Sequence, residues 1–441
     1  MSNPILQSAQ SSAVVATLRE SDTVTPWVYN EKGRIVSPHA MSILNTPKSS
    51  GSVGASSSVS FDISKNGLLC GCYLKLSMPS VNVAAGVQGA TEQSSAQATD
   101  GDATANTTQG DGFTAMGVLG CIDEVTLQTS GRALETLTRH QILARYSDLP
   151  LGKRQAIQDA IRMAKQPEDT AAYECVIWLP FYFWRDPLRY SYNTSFCEPL
   201  RCDVKFTACN IFYDGNKVSG SEGGFSVHAP TDAVLLTHYR QLDARDEDQL
   251  ISAQYSDGLL SQAVSIMKRE ATASIPSAST TPADVTIDLK ENHCVSAIYV
   301  IVCSTASDLD IGDYTKALNA VDRPLEVKNI KLEASGTVVM DVCGDMIKHY
   351  GRWGEHNGEG LGIVTNTNLS FGNVYKIDFT TGEPGHTNTV ALRELSGARL
   401  TLNFGNSFVN GKAAEVHVMY EATTFLSTAS ATGRVQLSIS S

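Results

Sequence analysis

Two short stretches of the chain, VTLQTSGRAL at residues 125–134 and IKLEASGTVV at residues 330–339, follow one pattern. Each alternates apolar and polar residues through a leucine and then reaches Ser-Gly. Alternation with a period of two predicts a β-strand, and the glycine after it predicts a turn with a positive φ angle. We therefore expect Gly131 and Gly336 to occupy equivalent turns in two copies of one unit.

Three further pairs of segments stand in the same order in the two halves of the sequence. They are KNGLLCGCYLKL (65–76) with ENHCVSAIYVIV (291–302), ALETLTRHQILARY (133–146) with VVMDVCGDMIKHYGRW (338–353), and VIWLPFYFW (176–184) with VYKIDFTTG (374–382). Each half has about eight predicted strands, which suits a two-sheet jelly roll. The predicted fold is all-β: two consecutive jelly-roll β-sandwich domains, a double jelly roll, with short helices in inserted loops.

Length and composition support this organisation. A single hydrophobic core stops growing at roughly 250–300 residues, and the chain has 441 residues, of which 42% are hydrophobic. Charged residues make up 18%, and 34 glycines accompany many serines and threonines. This composition favours strands joined by many turns over long helices.

The predicted domain organisation has four parts. They are an N-terminal arm (1–55), a first jelly roll (56–235) with an exposed loop (82–112) and a helical insertion (132–166), an inter-domain segment with a short helix (236–265), and a second jelly roll with a C-terminal tail (266–441). Residues 148–150 should divide the insertion into two helices, and Asp243 should cap the inter-domain helix. The dipeptide Asn66–Gly67 predicts a β-hairpin.

The net charge and the N-terminal sequence bear on nucleic-acid binding and on secretion. The formal net charge is −12, and Lys and Arg are not clustered as a phosphate-binding surface requires, so no direct contact with nucleic acid is expected. The N-terminal stretch MSNPILQSAQSSAVVATLRESD lacks a basic region followed by an apolar core. We therefore expect a chain that is not secreted through a signal peptide and that keeps its 10 cysteines reduced.

Two cysteine pairs could carry chemistry. Cys70 and Cys72 share one face of a predicted strand and could form half of a zinc site, but the sequence has no second such pair. Packing in the core is the favoured interpretation, and we expect no metal and no cofactor. A disulfide between Cys197 and Cys202 is the less favoured alternative to two free thiols.

Three sequons make Asn106, Asn193 and Asn368 candidates for glycosylation. Asn106 is the best of them, because it lies in the loop that we expect to be exposed. Without a secretory signal, the route to a glycan is not the usual one, so these sites are secondary expectations.

No catalytic constellation is visible. Ser130 and Ser335 precede glycines, but the Gly-x-Ser-x-Gly elbow of serine hydrolases is absent. The histidines are scattered, and no glycine-rich stretch has the phosphate-loop spacing. We therefore expect no enzyme. The aromatic run near residue 180 is interpreted as core or subunit-interface packing, carried by Trp178, Phe181, Phe183 and Trp184.

Three longer stretches resemble a known family. They are IWLPFYFWRDPLRYSYNTSFCEPLRCDVKF (177–206), LLTHYRQLDARDEDQLISAQY (235–255) and FGNVYKIDFTTGEPGHTNTVALRELSGARLTLNF (371–404). In pattern and order they resemble the double jelly-roll major capsid proteins of large icosahedral DNA viruses, particularly the nucleocytoplasmic ones. The resemblance covers about residues 55–430.

The resemblance implies a virion protein that assembles in the interior of the host cell. Its subunits would form homotrimers with six jelly rolls, and these pseudo-hexameric capsomers would tile an icosahedral shell. Expected partners are the chain itself, minor capsid, cement or penton proteins, and an internal membrane layer beneath the shell. The alternative function is a virion spike or a carbohydrate- or receptor-binding β-sandwich protein; a hydrolase on a β scaffold is a third, disfavoured option.

Overall fold

A computed structural model of the protein describes most of both halves of the chain. The described residues are 40–79, 112–113, 117–149, 151–161, 172–184, 190–207, 210–214, 224–227, 229–241, 259–275, 284–291, 294–304, 327–344, 374–379, 390–392, 397–404, 414–429 and 435–438. The predicted inter-domain helix near Ala244 and nearly all of the predicted loop 82–112 lie outside them.

Eight strands of the first half form a two-sheet sandwich. They are β1 (Ala40–Thr46), β3 (Ser58–Ile63), β4 (Leu68–Met78), β6 (Ile122–Thr129), β7 (Arg132–Thr138), β8 (Tyr173–Leu179), β10 (Leu200–Phe206) and β13 (Asp232–Gln241). Sheet 1A has the order β1-β13-β4-β8, and sheet 1B has the order β3-β10-β6-β7. If the eight strands are numbered along the chain, sheet 1A has the order first, eighth, third, sixth. Sheet 1B has the order second, seventh, fourth, fifth.

Short strands extend this sandwich. β2 (Ser50–Gly51) continues sheet 1B beside β3, and β9 (Tyr192–Asn193) pairs with β4 in sheet 1A. A separate small sheet consists of β5 (Gly112–Phe113), β11 (Asn210–Asp214) and β12 (Gly224–Val227). A 3₁₀ helix at Gly117–Cys121 leads into β6.

The second half repeats the same strand order. Its eight strands are β14 (Leu259–Ile275), β15 (Val285–Asp288), β16 (Cys294–Ser304), β17 (Asn329–Ala334), β18 (Thr337–Cys343), β19 (Val374–Asp378), β21 (Arg399–Asn403) and β22 (Ala414–Ala429). Sheet 2A is β14-β22-β16-β19, with β20 (Val390–Ala391) beside β16 and β23 (Val435–Ser438) beside β22. Sheet 2B is β15-β21-β17-β18. The predicted all-β double jelly roll is therefore confirmed.

The strand registers repeat as well. In sheet 1A, Tyr73 of β4 lies opposite Leu236 of β13. In sheet 2A, Tyr299 of β16 lies opposite Met419 of β22. The two tyrosines thus occupy the same position in the two sheets. Equivalent residues of the two sheets are identified by counting along the strands from these tyrosine pairs.

The two stretches that share the Ser-Gly pattern form hairpins of the same construction. β6 and β7 are joined by Ser130 (φ 44°) and Gly131 (φ 78°), and β17 and β18 by Ser335 (φ 52°) and Gly336 (φ 74°). Positive φ at both central residues is the signature of the type I′ turn, whose twist matches that of the flanking strands. Each hairpin also has a bulge at the same distance from its turn.

The prediction of a helical insertion at residues 132–166 is partly wrong. Residues 132–138 form β7, and two helices follow: α1 (Arg139–Ser147) and α2 (Leu151–Ala160). The bulge leaves Leu134 as an extra residue, so Leu134 and Leu137 are both buried although three positions separate them. This spacing imitates a helical period. The predicted break holds, because α1 ends at Asp148 after a start capped by Thr138.

Two other predictions differ from the structure. Asn66–Gly67 does not close a hairpin, because β3 and β4 lie in different sheets and the chain crosses from one to the other. Gly67 is needed for its φ of 98° and because a Cβ there would lie 2.6 Å from the carbonyl oxygen of Arg240. The predicted arm 1–55 includes β1 and β2, and β1 is recruited by pairing with β13, about 190 residues away, which no local pattern reveals.

The boundaries of the predicted inter-domain segment fall inside strands. β13 continues to Gln241, and β14 begins at Leu259, so both ends of the segment 236–265 belong to jelly-roll sheets. The physical reason is that these strands gain their backbone partners from distant parts of the chain, β4 and β22 respectively. Within the described residues, no helix is long and apolar enough to cross a membrane.

Two hydrophobic cores fill the molecule, and sheet 2A separates them. The core of the second roll takes one face of sheet 2A, including Ile298, Val300 and Tyr420. The opposite face, including Tyr299 and Met419, joins the core that also fills the first roll. Sheet 2A is therefore buried on both sides, which explains the nearly continuous apolar run of β16.

Candidate assembly surfaces

The contact between the two jelly rolls is formed by α1 and β7 of the first roll on the outer face of sheet 2A. α1 contacts β16, and β7 contacts β14. Polar side chains at this buried contact form two charged clusters. The first contains Glu135 and Arg145, and the second contains Asp148, Lys376, Tyr299 and Glu421.

Glu135 is fully enclosed and links the two rolls directly. Its carboxylate lies 2.7 Å from Nη2 of Arg145 and accepts a hydrogen bond of 2.8 Å from the backbone N–H of Met267 in β14. Arg145 also donates to the carbonyl oxygens of Pro180 and Ser265. Burial raises the pKa of Glu135, and the nearby Arg145 charge opposes that rise. Arg145 of the first roll and the backbone N–H of Met267 in the second roll both contact Oε1 of Glu135.

The second cluster joins the end of α1 to three strands of sheet 2A. Nζ of Lys376 lies 3.4 Å from Asp148 and 3.1 Å from Asp378. The hydroxyl of Tyr299 donates to Asp148 and lies 3.3 Å from a carboxylate oxygen of Glu421. Beside this cluster, the rings of His140 and His417 stack with centroids 4.1 Å apart.

These buried bonds fix how the rolls sit on each other. Hydrogen bonds and ion pairs depend on direction and distance, whereas apolar packing tolerates sliding. A sandwich that shifted on its neighbour would leave buried charges without their partners, which costs several kcal/mol, about 3–5 for each broken pair. The two jelly rolls therefore pack as one block with a defined relative orientation.

The aromatic side chains predicted as core or interface residues divide into two groups. Phe181 and Phe183 are fully buried in the core of the first roll. Trp178 and Trp184 are partly buried at its margin, where Trp178 stacks on Tyr146 of α1 with ring centroids 6.1 Å apart. The guanidinium of Arg145 lies 5.8 Å from the ring centre of Trp184, so this aromatic margin supports the first charged cluster.

One edge of the molecule presents apolar side chains to solvent. β18, the edge strand of sheet 2B, exposes Val338 and Val339, whose relative exposures are 48% and 60%. β7 is the corresponding edge strand of the first roll, and there Leu134 is 3% exposed. The difference arises because β7 contacts the second roll, whereas no described residue covers Val338 and Val339.

The outer face of sheet 1A is also partly exposed in the part of the chain that the structure describes. It carries Ile43 with 65% exposure and the partly buried side chains of Tyr73, Val234, Leu236 and His238. The inner face of the same sheet packs into the first core. The outer face of sheet 1A thus corresponds by strand order to the face of sheet 2A that α1 and β7 cover.

The residues considered for metal binding and disulfides are packing residues where the structure describes them. Cys70, Cys72, Cys197 and Cys202 are buried, and burial raises the pKa of Cys70 to about 11. Among the described residues, no group of three or more His, Cys, Asp or Glu side chains could hold a metal ion. Cys343, on β18, is exposed.

Of the three sequon asparagines, the structure describes Asn193. Its side chain is 7% exposed, and its Oδ1 accepts hydrogen bonds from the backbone N–H groups of Ser195 and Phe196. This position argues against a glycan on Asn193, because the side chain is engaged within the fold. Asn106 and Asn368 lie outside the described residues.

Sequence reasoning missed the charged clusters between the rolls. Glu135 and Arg145 lie in a segment that looked like an ordinary helical insertion, and their partner Met267 is 132 residues away from Glu135. The available signal was a charged residue flanked by buried leucines at Leu134 and Leu137. That pattern does not reveal the burial of Glu135, because Leu134 and Glu135 would point to opposite faces of a regular strand, and both are buried here at a bulge.

Taken together, the chain is an all-β protein in which two jelly rolls of the same strand order are joined through a buried polar contact. A scan of protein-family models finds no match, and no curated protein matches the chain. Solved structures with a similar fold are PBCV-1 VP54 (TM-score 0.63, 14% identity, 91% of this chain and 97% of that chain), the Faustovirus major capsid protein (0.57, 10%, 88% and 90%) and the mavirus major capsid protein (0.55, 8%, 90% and 90%). These likenesses confirm the double jelly-roll fold along nearly the whole chain.

Proposed function

We propose that this chain is a major capsid protein, a structural subunit that forms homotrimers and pseudo-hexameric capsomers in an icosahedral virus shell. The observation that carries the proposal is the pairing of two jelly rolls with one strand order in a single chain. Three such blocks supply six similar sandwiches, which suits a nearly hexagonal building unit. Similar folds in the major capsid proteins of Faustovirus and mavirus support it.

The surfaces support a role in assembly. Ile43 on sheet 1A and Val338 and Val339 on β18 are exposed apolar side chains at which subunits would associate. The net charge of −12 would keep unassembled subunits apart in solution. An obligate interface of this kind typically buries about 2,000 Å² or more.

The proposal extends to location and partners. The chain would reside in the virion capsid after assembly in the interior of the host cell. Besides its own copies, it would contact minor capsid, cement or penton proteins and an internal membrane layer beneath the shell. Its role is structural, so the proposal includes no catalytic step, no cofactor and no direct contact with nucleic acid.

Electron microscopy of the purified full-length protein tests the proposal. We expect trimers with a hexagonal outline, and we expect the chain to be the dominant component of purified particles. Monomeric protein that stays outside particles at all concentrations would contradict it. Slender projections on a shell made of another protein would instead support the virion-spike function.

A further inference from the structure

We infer that neighbouring subunits contact each other through the surfaces that already join the two rolls within one chain. In this contact, the β18 edge of one subunit docks on the outer face of sheet 1A of the next subunit. The inference rests on the proposed trimer and identifies which residues of the chain form its interface. The occupant of the open sheet face is therefore a second copy of this chain.

The first step is the correspondence between two receiving faces, the outer face of sheet 1A and the outer face of sheet 2A. Two residues beyond the tyrosine pairs described above, His238 of β13 lies opposite Ile43 of β1. At the same position of sheet 2A, Glu421 of β22 lies opposite Met267 of β14. Ile43 thus takes the place of Met267. Met267 is 3% exposed beneath β7, whereas Ile43 is 65% exposed.

The second step is the correspondence between two docking strands, β7 of the first roll and β18 of the second roll. Both hairpins have their bulge at the same distance from the turn, so Val339 corresponds to Leu134, and Met340 corresponds to Glu135. Leu134 and Glu135 are each 3% exposed. Val339 is 60% exposed, and Met340 is partly exposed. The residue after each strand has helical backbone in both rolls, which extends the likeness past the strand end.

The third step joins these two correspondences. Within the chain, Glu135 contacts Met267 through a hydrogen bond of 2.8 Å. The corresponding pair, Met340 and Ile43, is apolar on both sides. A contact that forms between separate subunits must leave both surfaces in water beforehand, and apolar side chains carry no charge that association would have to desolvate. The substitution of an apolar pair for a buried charge therefore fits a contact between chains.

The distribution of exposed apolar side chains points to the same two surfaces. Over the part of the chain that the structure describes, the large hydrophobic side chains with high exposure are Ile43, Val338 and Val339. One lies on the receiving face, and two lie on the docking strand. Ile43 and Val339 correspond to Met267 and Leu134, one on each side of the contact between the rolls, whereas the counterpart of Val338, Ala133, is exposed within the chain.

The symmetry of this contact follows from its two different sides. A patch on the second roll meets a patch on the first roll of the next subunit, so the interface is heterologous and runs head to tail. Repetition of such a contact gives a closed ring or an open filament. A ring of three subunits would alternate first and second rolls around its circumference.

Substitutions on each side of the contact provide the first test. In the full-length protein, we expect Val339→Asp and Ile43→Asp each to convert trimers to monomers in sedimentation velocity, with at least a tenfold loss of the trimer fraction at equal concentration. Thr337→Asp is the matched control, because Thr337 lies on the same strand and its counterpart Arg132 is exposed within the chain. Far-ultraviolet circular dichroism should be unchanged in all three variants.

Cysteine cross-linking provides a second test that does not depend on a disruptive substitution. In a Cys343→Ser background, we expect mixed Ile43→Cys and Met340→Cys single variants to form one disulfide between chains on mild oxidation. The double variant should form covalent species that stop at three chains. Each single variant alone should stay uncross-linked, because a head-to-tail contact never brings two copies of one position together.

The outcomes separate the inference from the proposed function. A monomeric wild-type protein that forms no capsomers would contradict the proposed function itself. A wild-type trimer that persists in Val339→Asp and Ile43→Asp would overturn the inference and leave the capsid function standing. A disulfide within a single chain of the double variant would show that the chain covers its own sheet face, and it would overturn the inference as well.

Discussion

The pair formed by Glu135 and Arg145 is the most constrained feature at the residue scale. Both side chains are completely buried between the rolls, and one carboxylate oxygen of Glu135 contacts both Arg145 and the backbone N–H of Met267. Breaking a buried ion pair by removing one member leaves an uncompensated charge, which is more destabilising than the pair is stabilising. Each residue therefore depends on the other.

We expect Arg145→Ala to lower the free energy of unfolding by about 3–5 kcal/mol. The measurement is chemical denaturation of the full chain, followed by circular dichroism. Lys205→Ala is the control, because its ion pair with Asp123 is exposed to solvent and contributes little. Equal losses in the two variants would show that burial does not set the strength of the Glu135 pair.

The pH dependence of the same variant has a defined sign. A carboxyl whose pKa is raised by folding contributes most to stability when it is protonated, below its ordinary value of 4.5, and loses that contribution as the pH rises through the folded value. Removal of Arg145 raises the pKa of Glu135 further, since its charge opposes the effect of burial. The deficit of Arg145→Ala should therefore be smaller at about pH 5 than at about pH 8.

The double variant Glu135→Gln, Arg145→Ala checks the cause. Glutamine cannot ionise, so the deficit of the double variant relative to Glu135→Gln alone should not vary with pH between these values. A pH-dependent deficit that remains in the double variant would assign the effect to another titrating group. The neighbouring groups to inspect then would be His140 and His417, whose rings stack beside the contact.

At the scale of elements, the two Ser-Gly hairpins determine how each docking strand is presented. The turn at Gly131 requires a φ of 78°, but a Cβ added there would meet nothing within 4 Å. The cost of a side chain is therefore conformational and not steric. The same holds for Gly336, with a φ of 74°.

We expect Gly131→Ala to destabilise the protein by about 1 kcal/mol, because alanine avoids positive φ. Gly152→Ala is the matched control: Gly152 lies in α2 with equal free space and no positive φ, so alanine should be neutral or stabilising by up to about 1 kcal/mol. Thermal unfolding of both variants measures the difference. A loss in Gly152→Ala as large as that in Gly131→Ala would refute the conformational explanation.

At the scale of the whole molecule, sheet 2A makes the two rolls interdependent. Its inner face packs in the core of the second roll, and its outer face packs against α1 and β7 of the first. Unfolding of the second roll would therefore expose apolar surface and buried charges of the first. A single cooperative transition follows from this shared sheet.

Ile298→Ala tests this interdependence from the side that faces away from the first roll. We expect a loss of about 2–5 kcal/mol, as is usual for truncation of a buried isoleucine. In a background in which Trp27 and Trp353 are replaced by phenylalanine, fluorescence reports Trp178 and Trp184 of the first roll. The fluorescence midpoint should shift with the circular dichroism midpoint; a fluorescence transition that stays at its original position would show that the rolls unfold independently.

Local sequence patterns determined much of this protein. The Ser-Gly turns at Gly131 and Gly336, the alternation of buried and exposed residues in β10, and the repeated order of matching segments along the two halves could be predicted, because each depends on residues close together in the chain. Sequence patterns failed where a bulge changed the period, as at Leu134. They also failed at Asn66–Gly67, where a turn between sheets has the same residues as a hairpin turn.

Tertiary structure alone decided which strands pair and which faces are covered. β1 gains its place from a partner about 190 residues away, and the Glu135 carboxylate finds its second donor 132 residues along the chain. The same is true of β7 and β18, whose sequences are both partly apolar although β7 is partly buried and β18 is largely exposed. Burial depends on what packs against a strand, and the packing partner is set by the fold as a whole and not by neighbours in sequence.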